Sequence, residues 1–217
     1  MIYKVAEKFV SINGEGTHSG QLAVFIRFCG CNLKCSFCDT TWVNEEDVPY
    51  EEMSLEEICE YIKETGIHNV TLTGGEPLKQ PGIRLLIDCI LAMGMYVEIE
   101  TNGSVDLSRF KSKASFTMDY KLPGSGMEQY MNVGNFDFLT KKDTVKFVAG
   151  DENDLNRFRE IIEKYNLVDK CNVYLSPVYG KISLEMMVEF MKKYKLNGVN
   201  MQLQMHKIIW APDKRGV

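Results

Sequence analysis

Seven apolar, strand-like runs recur along the sequence, and segments of helical periodicity lie between several of them. LAVFIRF (22–28), VTLT (70–73), YVEIE (96–100), ASFTMD (114–119), TVKFVA (144–149), NVYLSPV (172–178) and VNMQLQ (199–204) predict strands. SLEEICEYIKET (54–65) predicts a helix with a capping box, because Glu57 stands three residues after Ser54. Leu55, Ile58, Cys59 and Ile62 would share one of its faces. GIRLLIDCILAMG (82–94) predicts a second helix closed by Gly94. DENDLNRFREIIEKYN (151–166) opens with acids and SLEMMVEFMKKYK (183–195) ends with lysines, as the helix dipole favours. Strands alternating with helices imply an α/β fold with a mostly parallel sheet. A complete eightfold barrel takes about 250 residues. The 217 residues here therefore predict one domain, 1–217, built as a shortened, incomplete (β/α) barrel.

Sites in parallel α/β sheets form beyond the carboxyl ends of strands. A cysteine-rich loop follows LAVFIRF, GGEP follows VTLT, and TNG follows YVEIE, so three candidate motifs share one rim. The formal charge of −5 argues against a broad phosphate-binding surface and hence against direct nucleic-acid binding. No apolar run reaches membrane-spanning length, so no membrane partner is expected. The opening MIYKVAEKFVSING lacks the layout of a secretory signal. A cytoplasmic protein with reduced thiols is the resulting expectation, and the odd total of seven cysteines agrees with it.

RFCGCNLKCSFCDT (27–40) carries four of those cysteines. Cys31, Cys35 and Cys38 are spaced C-x3-C-x2-C, which can hold three irons of a [4Fe–4S] cluster and leave the fourth without a protein ligand. The competing reading adds Cys29 and makes an all-thiolate zinc site, although structural zinc usually draws on two separated pairs. Cys29 also continues the strand pattern, so its side chain would point away from the loop. Cys59, Cys89 and Cys171 read as packed thiols. His206 reads as structural.

The cysteine spacing with Phe37 before its last member, together with TGGEP (73–77), resembles the radical S-adenosylmethionine superfamily. The resemblance implies that fold, a [4Fe–4S] cluster in the loop at 29–40, and S-adenosylmethionine bound through its amino and carboxylate groups to the open iron. One electron would then cleave the sulfonium and yield a 5′-deoxyadenosyl radical that takes a hydrogen atom from substrate. It places Gly75 at the methionine end of the cofactor, and the backbone of Phe37, Cys38 and Asp39 at the adenine. Glu100 and Asn102 occupy the next rim position. Asp119-Tyr120-Lys121 stands where relatives often show Ser-Pro-Lys, so cofactor contacts are implied there with only the lysine matched.

INGEGTHSGQLAVFIRFCGCNLKCSFCDT (12–40) and QLQMHKIIWAPDKRGV (202–217) narrow the resemblance to the 7-carboxy-7-deazaguanine synthase family. That family contracts 6-carboxy-5,6,7,8-tetrahydropterin to 7-carboxy-7-deazaguanine with loss of ammonia. It implies a pterin contacted by Ile12, Asn13, Gly14 and Glu15, with Asn13 replacing the commoner Gln. Arg27 would fork onto the substrate carboxylate, since bidentate pairing suits a planar guanidinium. Thr73 would touch substrate from the rim, and Thr40 would give a hydroxyl oxygen to Mg2+. Val217 would reach substrate through its carboxylate. The resemblance further implies a flavodoxin- or ferredoxin-type electron donor and a homodimer. Two rivals remain: a glycyl-radical-enzyme activase, which gives no reason for INGEG or for the ending, and a non-enzymatic Fe–S or zinc module.

Overall fold

The computed structural model describes residues 1–110 and 113–217. Its nine strands form one sheet in the linear order β3-β1-β2-β4-β5-β6-β7-β8-β9. They are β1 (Ile2–Ile12), β2 (Leu22–Phe28), β3 (Glu51–Ser54), β4 (Asn69–Gly74), β5 (Tyr96–Thr101), β6 (Ser115–Tyr120), β7 (Thr144–Ala149), β8 (Asn172–Pro177) and β9 (Val199–Met201). Every pair from β2 onward along that order is parallel, while β1 runs antiparallel to both β2 and β3. With β3 and β9 at its two edges the barrel does not close, as the chain length predicted.

The helices are α1 (Leu55–Thr65), α2 (Ile83–Ala92), α3 (Glu152–Tyr165), α4 (Leu167–Lys170), α5 (Leu184–Lys193) and α6 (His206–Ile209). The Ser54 capping box forms as expected. Gly94 follows α2 in the left-handed region at φ 79°, and its N–H closes onto the Leu91 carbonyl at 3.0 Å. Three connections depart from strict alternation. Among the described residues, the chain after β2, the chain after β5 and the chain after β6 make only 3-10 turns, at Thr41–Asn44, at Leu107–Phe110, and at Pro123–Ser125, Glu128–Tyr130 and Val133–Asp137.

Period-two alternation in the parallel strands sorts residues onto two faces. Ile26, Leu72, Ile99, Met118, Phe147 and Leu175 face outward into a core completed by Ile58 and Ile62 of α1, Leu86 and Ile90 of α2, Phe158 of α3 and Met187 of α5. The residues between them form a polar inner face. Register sets Arg27 beside Thr73, Glu100 beside Thr117, and Asp119 beside Lys146. An apolar inner face would have filled the barrel; this one keeps a polar interior.

Strand β1 was not anticipated. It is half-exposed along its length and its pairing with β2 shifts between Val5 and Glu7, which blurs the alternating signal. The strand expected at 199–204 ends at Met201; the Gln202 N–H still donates to the Leu175 carbonyl of β8 at 3.0 Å, and its side chain turns to the Gly16 peptide.

Candidate active site

A cavity of about 520 Å3 opens at the carboxyl ends of β2, β4, β5 and β6. Cys31, Cys35 and Cys38 line it on one side, and Glu15, Arg27, Thr73, Glu100, Asp119 and Lys146 line the polar interior. Residues 212–217 and Lys207 also line the cavity.

The glycines of GGEP hold the cysteine loop. Gly74 lies at φ 131°, and a Cβ on it or on Gly75 would overlap the backbone of Phe28 or Gly30. The Gly75 N–H donates to the Phe28 carbonyl at 3.0 Å and the Glu76 N–H to the Gly30 carbonyl at 2.8 Å. Glu76 is fully buried and accepts three hydrogen bonds: from the Leu78 N–H, the Thr101 hydroxyl and the Asn102 N–H, the last at 2.7 Å. It thereby ties the GGEP turn to the ETNG turn. Asn102 in turn donates to Asn32 and lies 3.5 Å from the Cys31 sulfur.

The donor set fits a polynuclear cluster. All seven cysteines are free, and the three loop sulfurs lie close enough that Cys31 and Cys38 both disfavour ionisation of Cys35. Burial pushes the Cys35 thiol up most, and Lys121 pulls it back. No three His, Cys, Asp or Glu among the described residues converge on a position for one ion. A cluster spreads its ligands over several irons, whereas one zinc would draw every sulfur to about 2.3 Å from itself. Cys29 stands outside the cavity; its N–H donates to the Lys4 carbonyl at 3.0 Å and its carbonyl accepts from Gln80.

A charged network spans the interior. Lys146 pairs with Glu15 and lies 3.5 Å from Asp119, which also binds Lys121 at 2.7 Å. Burial opposes the Lys146 charge, but Glu15 and Asp119 hold it protonated far above the usual range. Burial also opposes ionisation of Asp119, and the two lysines overcome it, lowering that carboxyl. Among the described residues no cation pairs with Glu100, although the Lys146 charge acts on it. Burial first, then the Glu15 charge, push it up to about 7, while Thr73 donates to it at 2.6 Å. Arg27 donates through Nε to Glu7 at 3.0 Å, which leaves its Nη edge for another carboxylate.

Most of the residues expected at the site do meet in this cavity: Ile12, Gly14, Glu15, Arg27, Phe37, Asp39, Thr40, Thr73, Gly75, Glu100, Asp119, Lys121 and Val217 line it with the three cysteines. Two side chains expected there point elsewhere. Asn13 is buried beneath the turn and donates to Glu98 of β5 at 2.6 Å. Tyr120 sits on the outward parity of β6, stacked near Phe136 and Phe147, with its hydroxyl on Glu128. His206, read as structural, does line the cavity, and burial lowers its pKa.

Sequence reasoning missed Glu7, Glu98, Lys146 and Lys207. Lys146 carried a visible signal, a lone lysine alternating through an apolar strand. Lys207 lies in the MHKIIW segment that carried the resemblance, but nothing local marked its partner. It spans the cavity wall to bind Asp39 at 3.0 Å, while Arg215 stacks 4.2 Å above the Trp42 ring, so two contacts join the carboxyl-terminal segment to the residues after the cysteines.

Comparison with known proteins accords with this geometry. Residues 25–117 match the family model of the radical SAM superfamily. The 7-carboxy-7-deazaguanine synthase of Clostridium acetobutylicum is 60% identical across the full length of both chains. The synthase of Leptospira interrogans is 37% identical over 98% of this chain and 97% of its own. Among solved structures, QueE from Escherichia coli shares the fold at a TM-score of 0.75 and 22% identity, covering 94% of each chain. Streptococcus suis SuiB bound to S-adenosylmethionine aligns at a TM-score of 0.57 and 18% identity, over 80% of this chain and 48% of its own. With a full-length relative at 60% identity and the cysteine rim in place, the chain belongs to the 7-carboxy-7-deazaguanine synthase family of radical SAM enzymes.

Proposed function

We propose that this chain, acting as one core domain, converts 6-carboxy-5,6,7,8-tetrahydropterin to 7-carboxy-7-deazaguanine with release of ammonia, a step toward queuosine and related deazaguanine nucleosides. The observation that carries this reading is the end-to-end match to a synthase of that name at 60% identity. No observation favours the activase or the non-enzymatic reading.

Cys31, Cys35 and Cys38 would hold the [4Fe–4S] cluster, which together with bound S-adenosylmethionine supplies hydrogen-atom abstraction by a 5′-deoxyadenosyl radical. The remaining work falls to this chain's own groups. The Nη edge of Arg27 takes the substrate carboxylate, with Glu7 fixing the guanidinium plane. Glu15, steadied by Lys146, and the main chain of Ile12 and Gly14 pair with the pterin edge. Thr73 contacts substrate from the rim, and Val217, which lines the same cavity, does so through its carboxylate. Gly75 and its neighbouring main chain receive the methionine end of the cofactor. The backbone of Phe37, Cys38 and Asp39 meets the adenine, and Glu100, Asp119 and Lys121 lie within reach of the ribose. Thr40, beside Cys38 on the cavity wall, offers Mg2+ a hydroxyl oxygen of the kind that ion prefers.

We further propose a flavodoxin- or ferredoxin-type reductant, a homodimer and a cytoplasmic setting; no helix among the described residues is long and apolar enough to cross a membrane. The test is anaerobic reconstitution followed by reduction with S-adenosylmethionine, the pterin and Mg2+. Mass spectrometry should find 5′-deoxyadenosine and the deazaguanine acid. Deoxyadenosine without that acid would overturn the substrate assignment, and neither product would overturn the enzyme class.

A further inference from the structure

On the outer face of the sheet, α1 and α2 bring two thiols together outside the catalytic cavity. Cys59 Sγ lies 3.2 Å from Cys89 Sγ, and both residues are half-buried. The two helices are anchored on either side of this contact. Ile58 and Ile62 of α1, and Leu86, Ile87 and Ile90 of α2, are buried in the core, so the thiols are held face to face. The sulfurs of the cysteine loop are engaged differently: Cys31 with Asn102 and Cys38 with Thr40.

We infer that Cys59 and Cys89 form a dithiol modification site, which a small-molecule disulfide of the glutathione class converts into an intrachain crosslink between α1 and α2. One cysteine thiolate attacks the oxidant's disulfide and forms a mixed disulfide, expelling one thiolate. The second cysteine attacks the protein sulfur of that mixed disulfide and expels the other. The two cysteines lose two electrons and two protons between them, and the oxidant leaves as two thiols. Crosslinking closes the sulfurs from 3.2 Å to the bonded separation of about 2.05 Å. Burial, with Cys89 alongside, pushes the Cys59 thiol up to about 12, which favours its neutral form.

The crosslink would act as a brace. α1 precedes β4 and α2 follows it, and β4 carries the glycines that hold the cysteine loop. Joining residues 59 and 89 closes a loop whose restraint should raise the thermal midpoint by roughly 5–10 °C.

The test uses the cluster-loaded protein under nitrogen, equilibrated at pH 8.5 in buffers of oxidised and reduced glutathione, then quenched with iodoacetamide in denaturant and mapped by mass spectrometry. A peptide pair joined through Cys59 and Cys89, two hydrogens lighter than the free thiols, is expected, with Cys29 and Cys171 alkylated. The oxidised wild type should melt higher than its reduced form, whereas Cys59→Ser and Cys89→Ser should show no such rise. Separate alkylation of Cys59 and Cys89 at the highest oxidant ratio, or linkage of either to Cys31, Cys35 or Cys38, would overturn the site. A linked protein with an unchanged midpoint would overturn the brace. None of these outcomes depends on which substrate the cavity takes.

Discussion

Gly75 lies against the Gly30 carbonyl so closely that a methyl group on its Cα would overlap that oxygen. Both partners are backbone, so the conflict cannot be relieved by turning a side chain. Gly75→Ala should therefore lower stability by about 2 kcal/mol or more and shift the cysteine loop. Chemical denaturation should report the first effect and iron content after reconstitution the second. Normal values for both would mean that the two turns are not rigidly coupled.

Cys31→Ala, Cys35→Ala and Cys38→Ala should each lose most of the bound iron, while Cys29→Ala should retain it, since only the first three line the cavity. Iron analysis and the visible absorption of the cluster separate the two groups. An empty site in Cys29→Ala alone would reverse the ligand assignment.

Arg27→Lys should raise KM for the pterin by one to two orders of magnitude, because an ammonium cannot supply the two-pronged edge that Glu7 leaves available. Uncoupled formation of 5′-deoxyadenosine in the absence of pterin should persist. If that background reaction also vanishes, the substitution has damaged the fold and the residue's role must be judged from Glu7→Gln instead.

Asn13 supports the turn through Glu98 and does not present its amide to the cavity. Asn13→Ala should cost about 1–3 kcal/mol of stability, since it strips a donor from a buried carboxylate. Thr117 remains as a second donor to that group, so folding should survive. KM should change less than for Glu15→Gln; a larger change would return Asn13 to the substrate.

Glu100 should make the cofactor-free protein lose stability as pH rises. Its folded pKa of about 7 lies above the ordinary carboxylate value, so between roughly pH 4.5 and 7 the native state holds a proton that the unfolded chain has released. That contribution is present in full below this window and is lost on passing up through pH 7. Urea titrations across the window should show Glu100→Gln with a flatter profile than wild type. Parallel profiles for the two proteins would place the titration elsewhere.

Much of this architecture was legible in the sequence because it depends on local periodicity. The seven strand runs, the four longer helices and the Ser54 capping box each follow from residues within one turn or one strand of each other, and the spacing of Cys31, Cys35 and Cys38 falls in a single loop. Strand β1 was hidden for the complementary reason: half-exposed and irregular in register, it shows no clean alternation to read.

What the amino-acid sequence determined by itself was the order of strands and helices and the set of chemical groups delivered to one rim, since both follow from spacing along the chain. Only the tertiary structure decided which charges meet. Lys146 reaches Glu15 across 131 positions, Asn13 reaches Glu98 across 85, and Lys207 of the carboxyl-terminal segment reaches Asp39. Side-chain parity on neighbouring strands sets such pairings, turning Asp119 inward and Tyr120 outward although they are adjacent. Parity has meaning only once the register between strands exists, and register is a property of the assembled sheet.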